Sequence, residues 1–256
     1  MKAKKSLGQH FLNQPAIAEK IAASLLPMQG DFSVVEVGPG KGMLTQFLLK
    51  KYPDLRMIET DLDMVEYLNQ VFPNVKDQIT HADFLTVKLD EFVTGRFFLI
   101  GNFPYNISSQ ILFKMLDHHE KIPQMVGMFQ KEVADRIAAS HGSKTYGILS
   151  VLLQTFYRVE LLFNVSPQCF SPPPKVQSAV IRLTLKENVV IEPKIKKALR
   201  TVVKMSFNQR RKMLRNSLRS IWPEHIPVDD PVLTKRPEQL SVDDFLVLTR
   251  RLYLCD

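Results

Sequence analysis

The chain has 256 residues, 45% of them apolar and 23% charged, the balance of an ordinary globular protein. That composition excludes a disordered, collagen-like or disulfide-scaffold chain, and the length allows one large domain or a large one with a smaller companion. A net charge of +8 favours a polyanionic partner but says nothing of fold.

Taken in order, the chain begins with a small basic cluster, Lys2, Lys4 and Lys5. Asn13-Gln14-Pro15 followed by Ile17, Ile21 and Leu25 predicts a helix that Pro27 closes. Val34-Val35-Glu36-Val37 is a β-branched strand stopping at Gly38-Pro39-Gly40-Lys41-Gly42. A helix through Leu44, Phe47 and Leu48 follows, then a strand at Arg56-Met57-Ile58-Glu59 and a helix through Val65 and Leu68. Phe97 to Ile100 and Met125 to Phe129 are strands of buried type. Strands alternating with helices predict a doubly wound, Rossmann-like α/β domain around a parallel sheet. Val176 to Leu185 alternates and is expected at an antiparallel end of that sheet. Tyr146-Gly147 is read as a loop on the substrate side.

Beyond Leu185 the pattern changes, and a boundary is placed there: 1–185 as the α/β domain, 186–256 as a small helical one. Ile195, Leu199, Val202, Val203, Phe207, Leu214 and Leu218 fall near helical spacing. Between Lys194 and Arg219 lie ten basic residues and no acidic one, which leaves the remainder of the chain at −2. Such a face is either solvated or a polyanion site, and its density favours RNA. Cys169 and Cys255 form no CxxC, and no HExxH or HxxxH occurs, so a reducing, cytoplasmic setting without a metal is expected. No apolar run approaches the roughly 18 residues of a membrane span, and nothing calls for more than a monomer.

The Gly38–Gly42 turn is a plain tight turn or a loop letting backbone approach a ligand. It lacks both the dinucleotide GxGxxG, since position 43 is Met, and the phosphate-cradling GxxxxGK[ST]. Glu59 ends the next strand about twenty positions on, where doubly wound folds place an acid on ribose hydroxyls. Asp83, ending a third strand, can accept from an adenine amino group. Each acid alone could be a solvated loop residue. Together with the turn they fit S-adenosylmethionine, an adenosine bearing a sulfonium and no phosphate. Asn102-Phe103-Pro104-Tyr105 resembles the [D/N]-x-P-[Y/F] loop of amino-methyltransferases. Its Asn102 oxygen and Pro104 carbonyl can accept both protons of an exocyclic amine, while Tyr105 can stack on an extruded base.

The chain as a whole resembles the KsgA/RsmA family of ribosomal RNA adenine dimethyltransferases. The resemblance runs through Lys5 to Leu12 (GQ[NH]FL), Asn102 to Ser109 (NLPYNIS), Phe170 to Ser178 (FxPxPKVxS) and Phe207 to Asn216 (FxxRRKxLRN). It implies cofactor contacts from His10, Leu12, Gly38, Glu59, Asp83 and Asn102, and target-adenine contacts from Asn102, Pro104, Tyr105 and Phe170. It further implies rRNA contacts from a helix carrying Arg210, Arg211, Lys212 and Arg215. The implied reaction is dimethylation of N6 on two adjacent adenosines of the 3′-terminal hairpin of small-subunit rRNA, on an immature 30S subunit. His10 replaces the commoner Asn, Thr60 an apolar residue, and Phe103 a Leu. The alternatives are the related large-subunit methyltransferases of macrolide resistance, a non-enzymatic nucleic-acid-binding relative, and methylation of DNA adenine or a protein glutamine, which leaves the basic C-terminal helix unexplained.

Overall fold

The computed structural model describes residues 4, 7–187, 189–223, 227 and 229–253. Lys2, Lys5, Ser6, Asn188 and Cys255 fall outside the described residues. The first elements are β1 (Phe11–Leu12), α1 (Pro15–Ala23), β2 (Ser33–Val37), α2 (Thr45–Lys51), β3 (Arg56–Glu59), α3 (Leu62–Val71) and β4 (Ile79–His81). There follow α4 (Leu89–Phe92), β5 (Phe97–Asn102), α5 (Ser108–Asp117), β6 (Gln124–Gln130), α6 (Lys131–Ala138), α7 (Ile148–Phe156) and β7 (Tyr157–Val165). The last are β8 (Phe170–Ser171), β9 (Ser178–Leu185), α8 (Pro193–Asn208), α9 (Leu214–Ser217) and α10 (Val242–Tyr253).

Seven strands form one sheet in the order β4-β3-β2-β5-β6-β9-β7. The first five run parallel and β9 joins β6 antiparallel. β5 is buried from Phe97 to Gly101, as a strand covered on both faces must be. The order reverses between β2 and β5, which opens a crevice at their C-terminal ends. This is the doubly wound α/β fold. β9 is not the last strand of the sheet, however, because β7 lies outside it. β7 went unforeseen: its Leu161 is exposed and its apolar residues do not alternate cleanly.

The chain divides into two compact units, 1–134 with 160–185, and 135–159 with 186–256. The second therefore takes up 135–159, which a single boundary at 185 assigns to the first. The reason is α7, whose seven buried residues include Leu149, Val151, Leu152, Leu153 and Phe156. It packs against α8 and α10. Tyr146 belongs to this core, 1% exposed with its ring edge-on to Phe207 at 6.0 Å. It is not a loop residue awaiting substrate. Helix does not run through the basic motif either: α8 stops at Asn208 and Gln209–Met213 form a turn, closed by Lys212 N–H donating to the Gln209 carbonyl at 2.7 Å.

Candidate active site

The C-terminal ends of β2, β3 and β5 meet at an open cleft. Its walls bring together His10, Leu12, Gly38, Glu59, Asn102, Pro104 and Tyr105 from segments far apart in sequence. Gly38 and Gly40 both adopt positive φ, 69° and 57°, a conformation glycine tolerates without strain. A Cβ on Gly40 would come within 3.1 Å of the Phe11 ring. Phe11 thus packs directly over the turn.

Glu59 is 5% exposed and anchors the turn. One carboxylate oxygen accepts from Gly40 N–H and the other from Asp61 N–H, both at 3.0 Å. Burial pushes its pKa up and these backbone bonds oppose the rise without cancelling it. A carboxylate has about four acceptor sites, so capacity for a ligand hydroxyl remains. A second buried acid, Glu36, shares the cleft, with Thr45 Oγ1 donating to it at 2.7 Å. Burial raises its pKa to about 8, and the neighbouring Glu59 adds to the effect. Glu36 was missed as a site residue; a glutamate within a buried strand of valines is the signal that could have found it.

The Asn102–Tyr105 loop is held from below by Phe103, 1% exposed and tilted against Phe129 at 5.2 Å. Gly101 and Gly127 are cross-strand partners that leave room for this ring. A Cβ on Gly127 would lie 2.3 Å from it. Above, Asn102 Nδ2 donates to the His10 carbonyl at 3.0 Å. The Tyr105 hydroxyl is hydrogen-bonded to Ser178 Oγ, and the His10 ring stacks on Tyr105 at 5.5 Å. His10 Nδ1 donates to the Pro172 carbonyl at 2.8 Å. The Pro104 carbonyl accepts from Ile107 N–H at 3.3 Å and retains one lone pair.

The model of the ribosomal RNA adenine dimethylase family matches residues 1–235. This chain belongs to that family. It is 55% identical over 252 residues to the ribosomal RNA small subunit methyltransferase A of Porphyromonas gingivalis, covering 97% of each chain. Its identity to the Cytophaga hutchinsonii protein of the same name is 52%, covering 98% of each. Among solved structures it is similar to a dimethyladenosine transferase from Plasmodium falciparum, with TM-score 0.79, 25% identity, and 94% and 98% of the two chains covered. The 23S rRNA methyltransferase ErmE aligns with TM-score 0.68, 25% identity and coverage of 94% and 99%.

Not every predicted residue of this family member reaches the cleft. Asp83 follows β4 on an exposed turn outside the lining, its Oδ1 accepting from Leu85 N–H at 2.8 Å. Lys114 fastens that turn, donating to the Leu85 and Val87 carbonyls. Phe170 is 2% exposed, paired through its backbone with Leu12 and buried in the apolar core. In the second unit Arg211, Lys212 and Arg215 are exposed. Arg210 is turned inward, donating to the Ser143 carbonyl at 3.0 Å with Glu238 4.0 Å away. Among the described residues no group of three or more His, Cys, Asp or Glu is placed to hold a metal, and no helix is long and apolar enough to cross a membrane.

Proposed function

We propose that this chain transfers methyl groups from S-adenosylmethionine to N6 of two adjacent adenosines in the 3′-terminal hairpin loop of small-subunit (16S) rRNA, as a cytoplasmic monomer acting on the immature 30S subunit. The observation that carries the reading is the Asn102 amide at the cleft, its nitrogen committed to the His10 carbonyl and its oxygen left as the end that accepts.

The cleft suits the cofactor by its donor set. The lining holds two buried carboxyl groups, Glu36 and Glu59, and a single lysine, Lys41, with none of the clustered cations a phosphate calls for and with acceptors that suit the hydroxyls of a nucleoside. Bound there, S-adenosylmethionine supplies a methyl carbon on a positively charged sulfur. Glu59 receives the ribose hydroxyls, the Gly38–Gly40 backbone allows close approach, and His10 and Leu12 cover the ligand. Asp83, on the exposed turn outside the lining, keeps its Oδ2 for the adenine amino group.

An adenine N6 is a weak nucleophile because its lone pair is delocalised into the ring. Asn102 Oδ1 and the Pro104 carbonyl take its two protons and favour a pyramidal nitrogen with the lone pair directed at the methyl. Tyr105 stacks on the extruded base, while Phe170 stays buried and holds β1 through its pairing with Leu12. Catalysis is then mainly positioning. Each round exchanges one N–H for N–CH3 and releases a proton. The second round has one proton fewer, so only one of the two acceptors is engaged. Arg211, Lys212 and Arg215 hold rRNA phosphates, while Arg210 secures the 140–145 loop of its own unit.

The test is transfer of labelled methyl to small subunits lacking the modification, with separation of the product nucleosides. Label in N6,N6-dimethyladenosine is expected. Label confined to large-subunit RNA would overturn the reading.

A further inference from the structure

The N-terminal segment 7–12 does more than line the cleft. We propose that it is a positioning element of the transfer step, its His10 carbonyl fixing which end of the Asn102 amide meets the acceptor amine, with Asp61 as the latch that holds the segment in place. This rests on the function proposed above.

An amide side chain presents an acceptor and a donor of nearly equal shape, and a half-turn about its last torsion exchanges them. Turned one way, Asn102 accepts a proton from the amine. Turned the other, it sets its own N–H against those of the amine and repels them. The choice is made by what lies at the opposite end. That group is the His10 carbonyl, which can only accept, 3.0 Å from Nδ2. The segment thereby imposes the productive orientation before any substrate arrives.

The carbonyl can do this only if the segment is fixed, and it is fixed along its length. Lys4 Nζ and Gln9 Nε2 donate to the two oxygens of Asp61 at 2.6 and 2.7 Å. Gly8 has φ +63°, and a Cβ there would meet Asn106 Oδ1 at 2.6 Å, so the segment lies directly against the residue after Tyr105. His10 Nδ1 donates to the Pro172 carbonyl, and Phe11 and Leu12 pair with Ser171 and Phe170.

Asp61 is 2% exposed. Burial alone would raise its pKa, yet the bonds from Lys4, Gln9 and Asp63 N–H hold it below the usual carboxylate range. It is therefore anionic at neutral pH, and Lys4 also reaches Asp63 at 2.8 Å. Through its own N–H, Asp61 further bonds Glu59. The latch thus adjoins the acid assigned to the cofactor ribose, so segment, cofactor site and catalytic amide are coupled mechanically. Asp61 and Gln9 act through other groups and are positioning residues.

The experiment unlatches the segment without touching the core. Lys4→Ala with Gln9→Ala is made in the wild type and in an Asn102→Asp background, because a carboxylate accepts whichever way it turns. Single-turnover methyl transfer to small subunits is measured at saturating S-adenosylmethionine, with cofactor affinity determined separately by calorimetry. Unlatching should slow the wild type about tenfold, the scale of one hydrogen bond's control of an orientation. In the Asn102→Asp background it should slow transfer by less than about twofold. Equal losses in both backgrounds would overturn the proposal, as would a loss confined to cofactor affinity or no loss at all. Absence of transfer by the wild type itself would instead overturn the function on which it rests.

Discussion

Glu36 offers a sharp test of the cleft's electrostatics. Its carboxyl is 1% exposed, accepts one hydrogen bond from Thr45, and has its pKa raised by burial to about 8 from the ordinary 4.5. The folded protein therefore holds a proton that the unfolded chain has already lost. With a folded pKa above the unfolded one, the stability Glu36 permits is fully present below about pH 4.5 and declines as pH rises to about 8. At about 1.4 kcal/mol per pKa unit the decline is bounded at roughly 5 kcal/mol. Relaxation and water in the adjoining cleft reduce this, and we expect about 2–4 kcal/mol. Glu36→Gln is nearly isosteric, retains an acceptor for Thr45, and does not titrate. Urea unfolding of both proteins from pH 5 to pH 9 gives the difference in stability, in which titrating groups not coupled to Glu36 cancel and the neighbouring Glu59 contributes only through its coupling. The variant should gain on the wild type as pH rises to about 8 and gain nothing more above it. Parallel stability curves across the whole range would refute the buried, protonated Glu36.

Four further outcomes follow from the geometry. Asn102→Ala should lower single-turnover transfer by at least about 100-fold, the cost of losing one group aimed at the reacting centre, while filter binding shows unchanged rRNA affinity. Arg211→Ala with Lys212→Ala should reduce the slope of log affinity against log salt by up to about 0.9 for each phosphate no longer neutralised. Arg210→Ala should instead lower the melting temperature of the second unit, since its guanidinium is bonded to Ser143. Gly127→Ala, whose Cβ would lie 2.3 Å from the Phe103 ring, should cost about 1–3 kcal/mol in thermal unfolding.

Much of this was legible because the signals are local. Short runs such as Val34–Val37, Arg56–Glu59 and Phe97–Ile100, bounded by turn signals, read as buried strands, and the glycine turn, Glu59 and Asn102–Tyr105 lie at their ends. Doubly wound topology then collects those ends in one crevice. What escaped depends on partners distant in sequence. Nothing near Asp61 indicates that Lys4 and Gln9 will close on it across more than fifty residues. Arg210 and Arg211 are indistinguishable as letters, yet one is tied to Ser143 and the other is exposed. The spacing of Phe207, Leu214 and Leu218 fits one helix, but the turn at Gln209–Met213 interrupts it. Similarly, α7 carries enough apolar surface for either unit, and only packing reveals that it joins α8 and α10.

Counting methyl groups distinguishes double methylation of two adenosines from any other outcome. Small subunits lacking the modification are reacted to completion with labelled S-adenosylmethionine, and the label is located on the 16S RNA by nuclease mapping. Saturation is expected at four methyl groups per subunit, all on two adjacent adenosines of the 3′-terminal hairpin loop. Saturation at one or two, or label outside that hairpin, would contradict it.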